Sequence, residues 1–263
     1  MSGNSAFIPV QERGWRGGLR NMLRGEFGKW WGSNLWWIQS VIWIGVINGI
    51  LAGVLWGGDI ATIEEGIALY CVFTGLFPNI AIIIIMQDVI VGEKEMGTAA
   101  WVLSKPVSRQ AFILSKWIAN SIGVLVTMLI LPGIVAYLLF YLRFSSWVNP
   151  LDFITGWGIL LVYLLYFLTL TLMLGTFFKH RGPVIGIPLA LAFGQQMVFG
   201  MLPVLSYILP WVLTVPGGFF DSSVAASLIL GQEPFSMIPF YITFISIFVF
   251  LALGLWRFEK EEF

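Results

Sequence analysis

The residues with the most chemistry to offer lie close together, between Asp88 and Lys116. This stretch carries the acids Asp88, Glu93 and Glu95 and the bases Lys94, Lys105, Arg109 and Lys116. Between them run Gly97-Thr98, Leu103-Ser104 and Pro106-Val107-Ser108. Such charges can pair with opposite charges on a partner, complement a helix dipole, or meet lipid headgroups. Met96, Ala99, Ala100 and Leu103 recur at i, i+3, i+4 and i+7, the spacing of one helical face. Pro106 biases Lys105 out of helical geometry. The pattern predicts one short amphipathic helix from Glu93 to Ser104, with Glu93 and Glu95 at its positive N-terminal end. A helix of this kind between two membrane spans is a natural contact for a soluble partner, and by spacing alone a lipid-facing loop fits as well.

Other chemistries lack their parts. No glycine-rich loop is followed by Lys-Ser or Lys-Thr, so the chain offers no phosphate-binding loop for ATP. With one histidine and one cysteine, a zinc site would need mostly carboxylates, and no His-Glu-x-x-His spacing exists. His180 sits in the basic run Lys179-His180-Arg181 and reads as part of a loop, and Cys71 as a small packed residue that excludes an intrachain disulfide. The formal net charge of +0 gives no case for nucleic acid.

The elements that position these residues are membrane spans. Hydrophobic residues make up 58% of the 263 and charged ones 11%, against about 25% charged in an ordinary soluble domain. Thirteen Trp and 22 Phe suit apolar helices ringed by aromatics at the lipid–water boundary. A hydrocarbon core needs roughly 20 helical residues. Six runs qualify: Leu35 to Trp56, Gly66 to Val91, Phe112 to Leu142, Phe153 to Phe178, Val184 to Leu205 and Ser236 to Trp256. Asp88 belongs near an interface, Lys116 can snorkel to headgroups, and Pro132-Gly133 predicts a kink or an early exit in the third run. Polar residues within the runs include Asn48, Asn79, Gln195 and Gln196, which can line a pathway or hydrogen-bond between helices. No carboxylate falls at mid-span, which argues against a proton- or sodium-coupled carrier.

Residues 206–233 are apolar but broken by Pro210, Pro216, Gly217 and Gly218, so they read as one or two short re-entrant helices, with a tilted seventh span as the alternative. Before the first run, Leu19, Met22, Leu23, Phe27, Trp30 and Trp31 recur at helical spacing beside Arg20, Arg24 and Lys29, an amphipathic helix for the headgroup layer. No cleavable signal is expected. Thirteen of the fourteen Lys and Arg fall in the N-terminal segment, the second-to-third and fourth-to-fifth connections and the C-terminus, leaving Arg143 alone opposite with Asp59, Glu64, Glu65, Asp152, Asp221 and Glu233. By that asymmetry both termini are cytoplasmic, which requires an even number of spans and favours six. The fold class is an all-α polytopic membrane protein in a single domain: a leader over 1–34, spans over 35–256 and a tail over 257–263.

The stretch also resembles a known family, the ABC-2 type permease subunits of ATP-binding cassette exporters. That family carries an acid near the end of its second span, then Gly-Glu with a further acid, Gly-Thr, Leu-Ser-x-Pro-Val-Ser-Arg and a Lys entering the third span. Here these are Asp88, Gly92-Glu93, Glu95, Gly97-Thr98, Leu103-Ser104, Pro106-Val107-Ser108-Arg109 and Lys116. Ala99 departs from the bulky aliphatic that commonly follows Gly-Thr. The resemblance implies a permease in the plasma membrane that is not itself an enzyme and carries no cofactor. It implies a second permease subunit, identical or a sister chain, and separate ATP-binding cassette subunits that hold ATP and Mg. Glu93, Glu95, Gly97, Thr98, Leu103, Ser104, Pro106 and Arg109 would then form the coupling segment. A polytopic scaffold recruiting a cytoplasmic partner without transport is the competing reading.

Overall fold

The structure, a computed structural model, describes residues 14–58, 60–202, 204–205, 208–217 and 222–261, with the backbone alone for 195–200. Arg13, Asp59, Asp221 and the side chains of Gln195 and Gln196 therefore lie outside the described residues. The described elements are α1 (Leu19–Trp31), α2 (Leu35–Gly57), α3 (Ile63–Glu95), α4 (Thr98–Leu103), α5 (Arg109–Phe144), α6 (Pro150–Phe177), α7 (Arg181–Met201), α8 (Val224–Ile229) and α9 (Ile238–Glu259). Among them α2, α3, α5, α6 and α9 are long and apolar enough to cross a membrane. The expected fifth run, Val184 to Leu205, falls on α7, which contains Pro188 and whose part with described side chains, Arg181–Gly194, is apolar.

Local chemistry sets the ends. Thr62 caps α3 in a reciprocal capping box with Glu65, Ser108 caps α5 through the Ala111 amide, and Asn149 caps α6 ahead of Pro150. Helix α6 is the centre of the bundle: 78% of its apolar window is buried, against 28% for α2 and 22% for α9, whose open faces are left to lipid. It packs on α3, α9, α8 and α7.

Pro132-Gly133 does not end α5. A proline cannot donate to the carbonyl four residues back and its ring crowds that carbonyl. The helix widens instead into a π segment over Leu125–Ile130, just before the proline, and runs on to Phe144. A second π segment, Ile44–Asn48 of α2, packs on the Leu131–Phe144 part of α5, and Asn48 Nδ2 donates to the Pro132 carbonyl at 3.1 Å. Gly133 is required by its neighbour: a Cβ there would run into the Trp157 ring, which donates to the Tyr70 hydroxyl at 3.0 Å.

Of the broken stretch, the described part forms a 3₁₀ turn at Pro210–Leu213 and the six-residue α8, both buried by protein. This is the short-helix arrangement, because irregular backbone at this depth must be covered. Two glycines make room for it. A Cβ on Gly75 of α3 would sit 2.7 Å from Thr214 Cβ, and one on Gly156 of α6 would collide with Ile229 of α8.

Gly133→Ala should lower the thermal midpoint of the detergent-solubilised chain, by the equivalent of about 1–3 kcal/mol of overpacking against Trp157. Gly158→Ala, on an exposed face of the central helix with no atom within 4 Å of the added methyl, should leave it unchanged or raise it. Equal midpoints for the two variants would show that Trp157 does not depend on the glycine.

Candidate functional site

The charged stretch lies at one end of the bundle, and the contacts there draw in the other basic segments. The leader meets the α4–α5 loop: the Ser108 amide donates to the Gly17 carbonyl at 2.9 Å and the Ser108 hydroxyl to the Trp15 carbonyl at 2.6 Å. Gly18, at φ 76, lies against Val107. From the C-terminus, the carbonyls of Phe258, Glu259 and Glu261 accept from Arg109 Nη1. From the start of α7, Arg181 pairs with Asp88 at 2.8 Å and Glu95 at 3.0 Å. Arg143, the one base expected at the opposite end, donates to the Leu55 and Ile60 carbonyls.

The helix expected from Glu93 to Ser104 is shorter and starts later. Glu93 and Glu95 extend the hydrogen-bond ladder of α3, which ends at Glu95. The break comes at Gly97, at φ 68, a conformation open to glycine at little cost, and α4 begins at Thr98. The two acids thus close the preceding span, where they face the negative end of its dipole, and do not sit at the N-terminus of α4. The Thr98 hydroxyl donates to the Glu93 carbonyl, in the last turn of α3. Leu103, Ser104 and Pro106 close α4 as expected, with the Ser104 hydroxyl on the Trp101 carbonyl at 2.7 Å.

What offsets that unfavourable placement of Glu93 is Lys116. The expected snorkelling side chain is 1% exposed, and its ammonium is bonded to Glu93 of α3 and, at 2.9 Å, to Glu26 of α1. The Phe112 ring lies 4.7 Å away, and Lys29 closes the group, 2.8 Å from Glu26 and 3.5 Å from Glu93. One helical turn further, Trp30 of α1 donates to Asn120 Oδ1 at 3.2 Å and lies flat over Gly123, where a Cβ would strike the ring. Helix α1 is therefore docked on α5 by its Glu26–Trp30 face, beyond the headgroup-layer role its pattern suggested. Burial acting alone would raise the pKa of Glu26; Lys116 and Lys29 more than offset it and hold the carboxyl below its ordinary value.

Lys94 reaches the end of α6, donating to the Gly175 and Thr176 carbonyls at 3.0 and 3.1 Å, and pairs with Glu261 at 2.7 Å. Cations at helix C-termini satisfy the carbonyls that have no partner inside the helix. With those pairings made, the outward surface of α4 is mostly uncharged. Ala99 is buried at 1% exposure, whereas Met96 and Trp101 project, 69% and 63% exposed, and Lys105 lies on the Trp101 ring at 3.4 Å. Met96 thus leaves the stripe assigned to it, and the buried face is Ala99 with Val102 and Leu103.

Of the pathway candidates, the two with described side chains lie in different contacts. Asn48 is buried against α5 and Asn79 against α6, where its Nδ2 donates to the Tyr163 hydroxyl at 3.4 Å. Sequence reading missed Glu26. The signal was present: Met22, Glu26 and Trp30 are four residues apart on the apolar stripe of an otherwise basic helix, and Lys116 follows four apolar residues with no acid beside it.

Residues 51–263, from mid-α2 to the end of the chain, match the family model described as ABC-2 family transporter protein. No curated protein matches the chain. The matched span contains Glu93, α4 and Lys116, while Glu26 lies before it.

Lys116→Met should destabilise the chain by up to about 3 kcal/mol, because it leaves Glu26 and the partly buried Glu93 with Lys29 alone. The checks are a lower thermal midpoint and faster trypsin cleavage at Arg20 and Arg24; Lys116→Met with Glu26→Gln should recover part of both. An unchanged midpoint for the single variant would remove the cluster as the anchor of α1. The docking should also depend on pH. With the Glu26 pKa depressed in the folded chain, its contribution is complete above the unfolded glutamate value of about 4.3 and disappears as pH falls through the lower folded value. A nitroxide at Asn21, in a Cys71→Ser background, should keep one mobility from neutral pH down to about 5 and gain mobility only under stronger acid. A mobility change centred near neutrality would contradict the assignment.

Proposed function

The chain belongs to the ABC-2 transporter family, and from that premise we propose that it is the six-span permease subunit of an exporter driven by separate ATP-binding cassette subunits. The observation that carries the proposal is α4, within the matched residues: a short helix with its inner face packed on the bundle and Met96 and Trp101 turned outward. An exposed aromatic with an apolar neighbour is the composition of a protein-contact hot spot. The clustering of the basic segments at one end supports placing that end, with both termini, in the cytoplasm of a plasma-membrane protein.

The chain's own part in the cycle is transmission. ATP-driven closure of the partner subunits displaces α4, whose ends are the Gly97 hinge on α3 and the Lys105–Ser108 turn on α5. Lys116 ties those two spans together through Glu93, and Arg109 ties the same corner to α9. A push on Trp101 therefore reaches three spans and the leader at once. Glu93 serves here to hold this corner together, and Glu95 and Arg109 fasten it to α7 and α9. With a second permease subunit, those spans would rock between inward- and outward-open arrangements.

Purified alone, the chain should show no ATP hydrolysis; expressed with its cognate ATPase it should yield a complex with two copies of each subunit. Met96→Glu with Trp101→Glu should leave the permease folded and weaken partner retention by about thirtyfold or more, the loss expected at a hot spot. Full retention together with normal transport by that double variant would sink the proposal. Single cysteines in a Cys71→Ser background test the orientation: an impermeant thiol reagent outside intact cells should label one at Ser222 and spare one at Ser104, and the reverse pattern would invert the topology.

A further inference from the structure

Most of the polar groups buried between the spans are answered within the bundle. Asn79 on α3 is an exception that opens onto a space. It is 1% exposed, and its Oδ1 has no partner. Asn79 lines a cavity of ≈ 240 Å³ enclosed by α3, α6, α7 and the Pro210–Leu213 turn. Its Nδ2 donates to the Tyr163 hydroxyl at 3.4 Å, and Thr214, also in the lining, donates its hydroxyl to the Trp211 carbonyl at 3.3 Å. What is left over in the described lining is the Asn79 acceptor, in a space whose other described lining is mainly aliphatic or aromatic, including Leu76 and Phe193.

From this we propose that the cavity is a binding site for a neutral, mainly apolar molecule carrying one hydrogen-bond donor, a hydroxyl or an amide N–H, that enters from the bilayer. Each part of that description has its own support. Neutrality follows because among the described residues no carboxylate, lysine or arginine lines the space, so a charge there would be buried without a described partner. The donor follows from Asn79 Oδ1, since a buried acceptor left unmade is costly and a ligand that meets it gains accordingly. The volume lies below the roughly 300–1,000 Å³ of sites that enclose drug-sized ligands, which suits a small molecule or one end of a longer chain. Entry follows from α7: Ala192 is buried in the wall, and Phe193 beside it is half-exposed on the outer face of the helix. The proposal rests on α3 and α7 lying in a bilayer, and not on the partnership with ATP-binding subunits.

The test is photolabelling of the purified full chain in phosphatidylcholine nanodiscs. Three diazirine probes of equal chain length are compared: a long-chain alcohol, its methyl ether and the corresponding carboxylate. The alcohol should label residues 72–80 and 211–215 about tenfold more than the ether, which has no donor for Asn79, and more than the carboxylate. Asn79→Leu should bring the alcohol down to the level of the ether, and Ala192→Trp, which fills the space, should reduce both. Equal labelling by alcohol and ether in the unmodified chain would overturn the proposal, as it would if a water already satisfied Asn79. So would labelling confined to outward helix faces, or a carboxylate that labels as well as the alcohol. The unmodified chain decides the matter even if a variant misfolds. Selective labelling by a chain that retains no ATPase partner would keep this site and remove the proposed function.

Discussion

A lysine ammonium at 1% exposure is the constraint from which the basic end of this bundle follows. Removing an ion from water costs several kcal/mol after relaxation, and the cost is met only when partners of opposite charge are held in good geometry. Lys116 lies on α5, so its partners must come from elsewhere, and they come from α1 and α3. Three elements that hydrophobic packing alone could let slide are thereby held in one register. Packing then confirms the register, since Trp30 can lie on α5 only where Gly123 leaves room and Asn120 offers an acceptor.

The same economy governs the other charges at that end. Lys94 and Arg109 are spent on the carbonyls that close α6 and α9, and Arg181 on the two exposed acids of α3. Charges that sequence reading offered to a partner are mostly engaged inside the chain. What α4 presents outward is instead Trp101 with its stacked Lys105, and Met96. Internal ion pairs join the elements of this corner, and an aromatic, weakly charged surface is what it leaves outward. The two do not compete for the same residues.

Much of this was legible because membrane spans announce themselves by length and composition. The all-helical polytopic class, the leader helix, the Pro106 stop and the buried short helices in 206–233 all follow from local rules. The start of α4 was not legible, because Glu93 and Glu95 suit the beginning of one helix as well as the end of another. Only packing shows that Lys116, some twenty residues later, rewards the second choice. The continuation through Pro132 was illegible for a related reason: sequence reveals the lost hydrogen bond, whereas the π segment ahead of the proline and the Asn48 amide that meets the Pro132 carbonyl from another span appear only in the packed bundle. Glu26 was visible in the stripe but had no reason to matter until its partner, ninety residues away, was known.

That last separation bears on how the family's shared machinery is completed in this chain. The residues matched to the family begin at position 51 and include Glu93, α4 and Lys116, yet one counter-ion of Lys116 comes from the leader. A six-residue helix such as α4 is too short to be stable by its own hydrogen bonds, so it exists by resting Ala99 and Leu103 on the spans. Those spans meet at Lys116, and Lys116 is fully paired only when α1 is docked. The leader is therefore part of that corner, its attachment through Glu26 and Trp30 tying α1 to the span that Lys116 joins to α3.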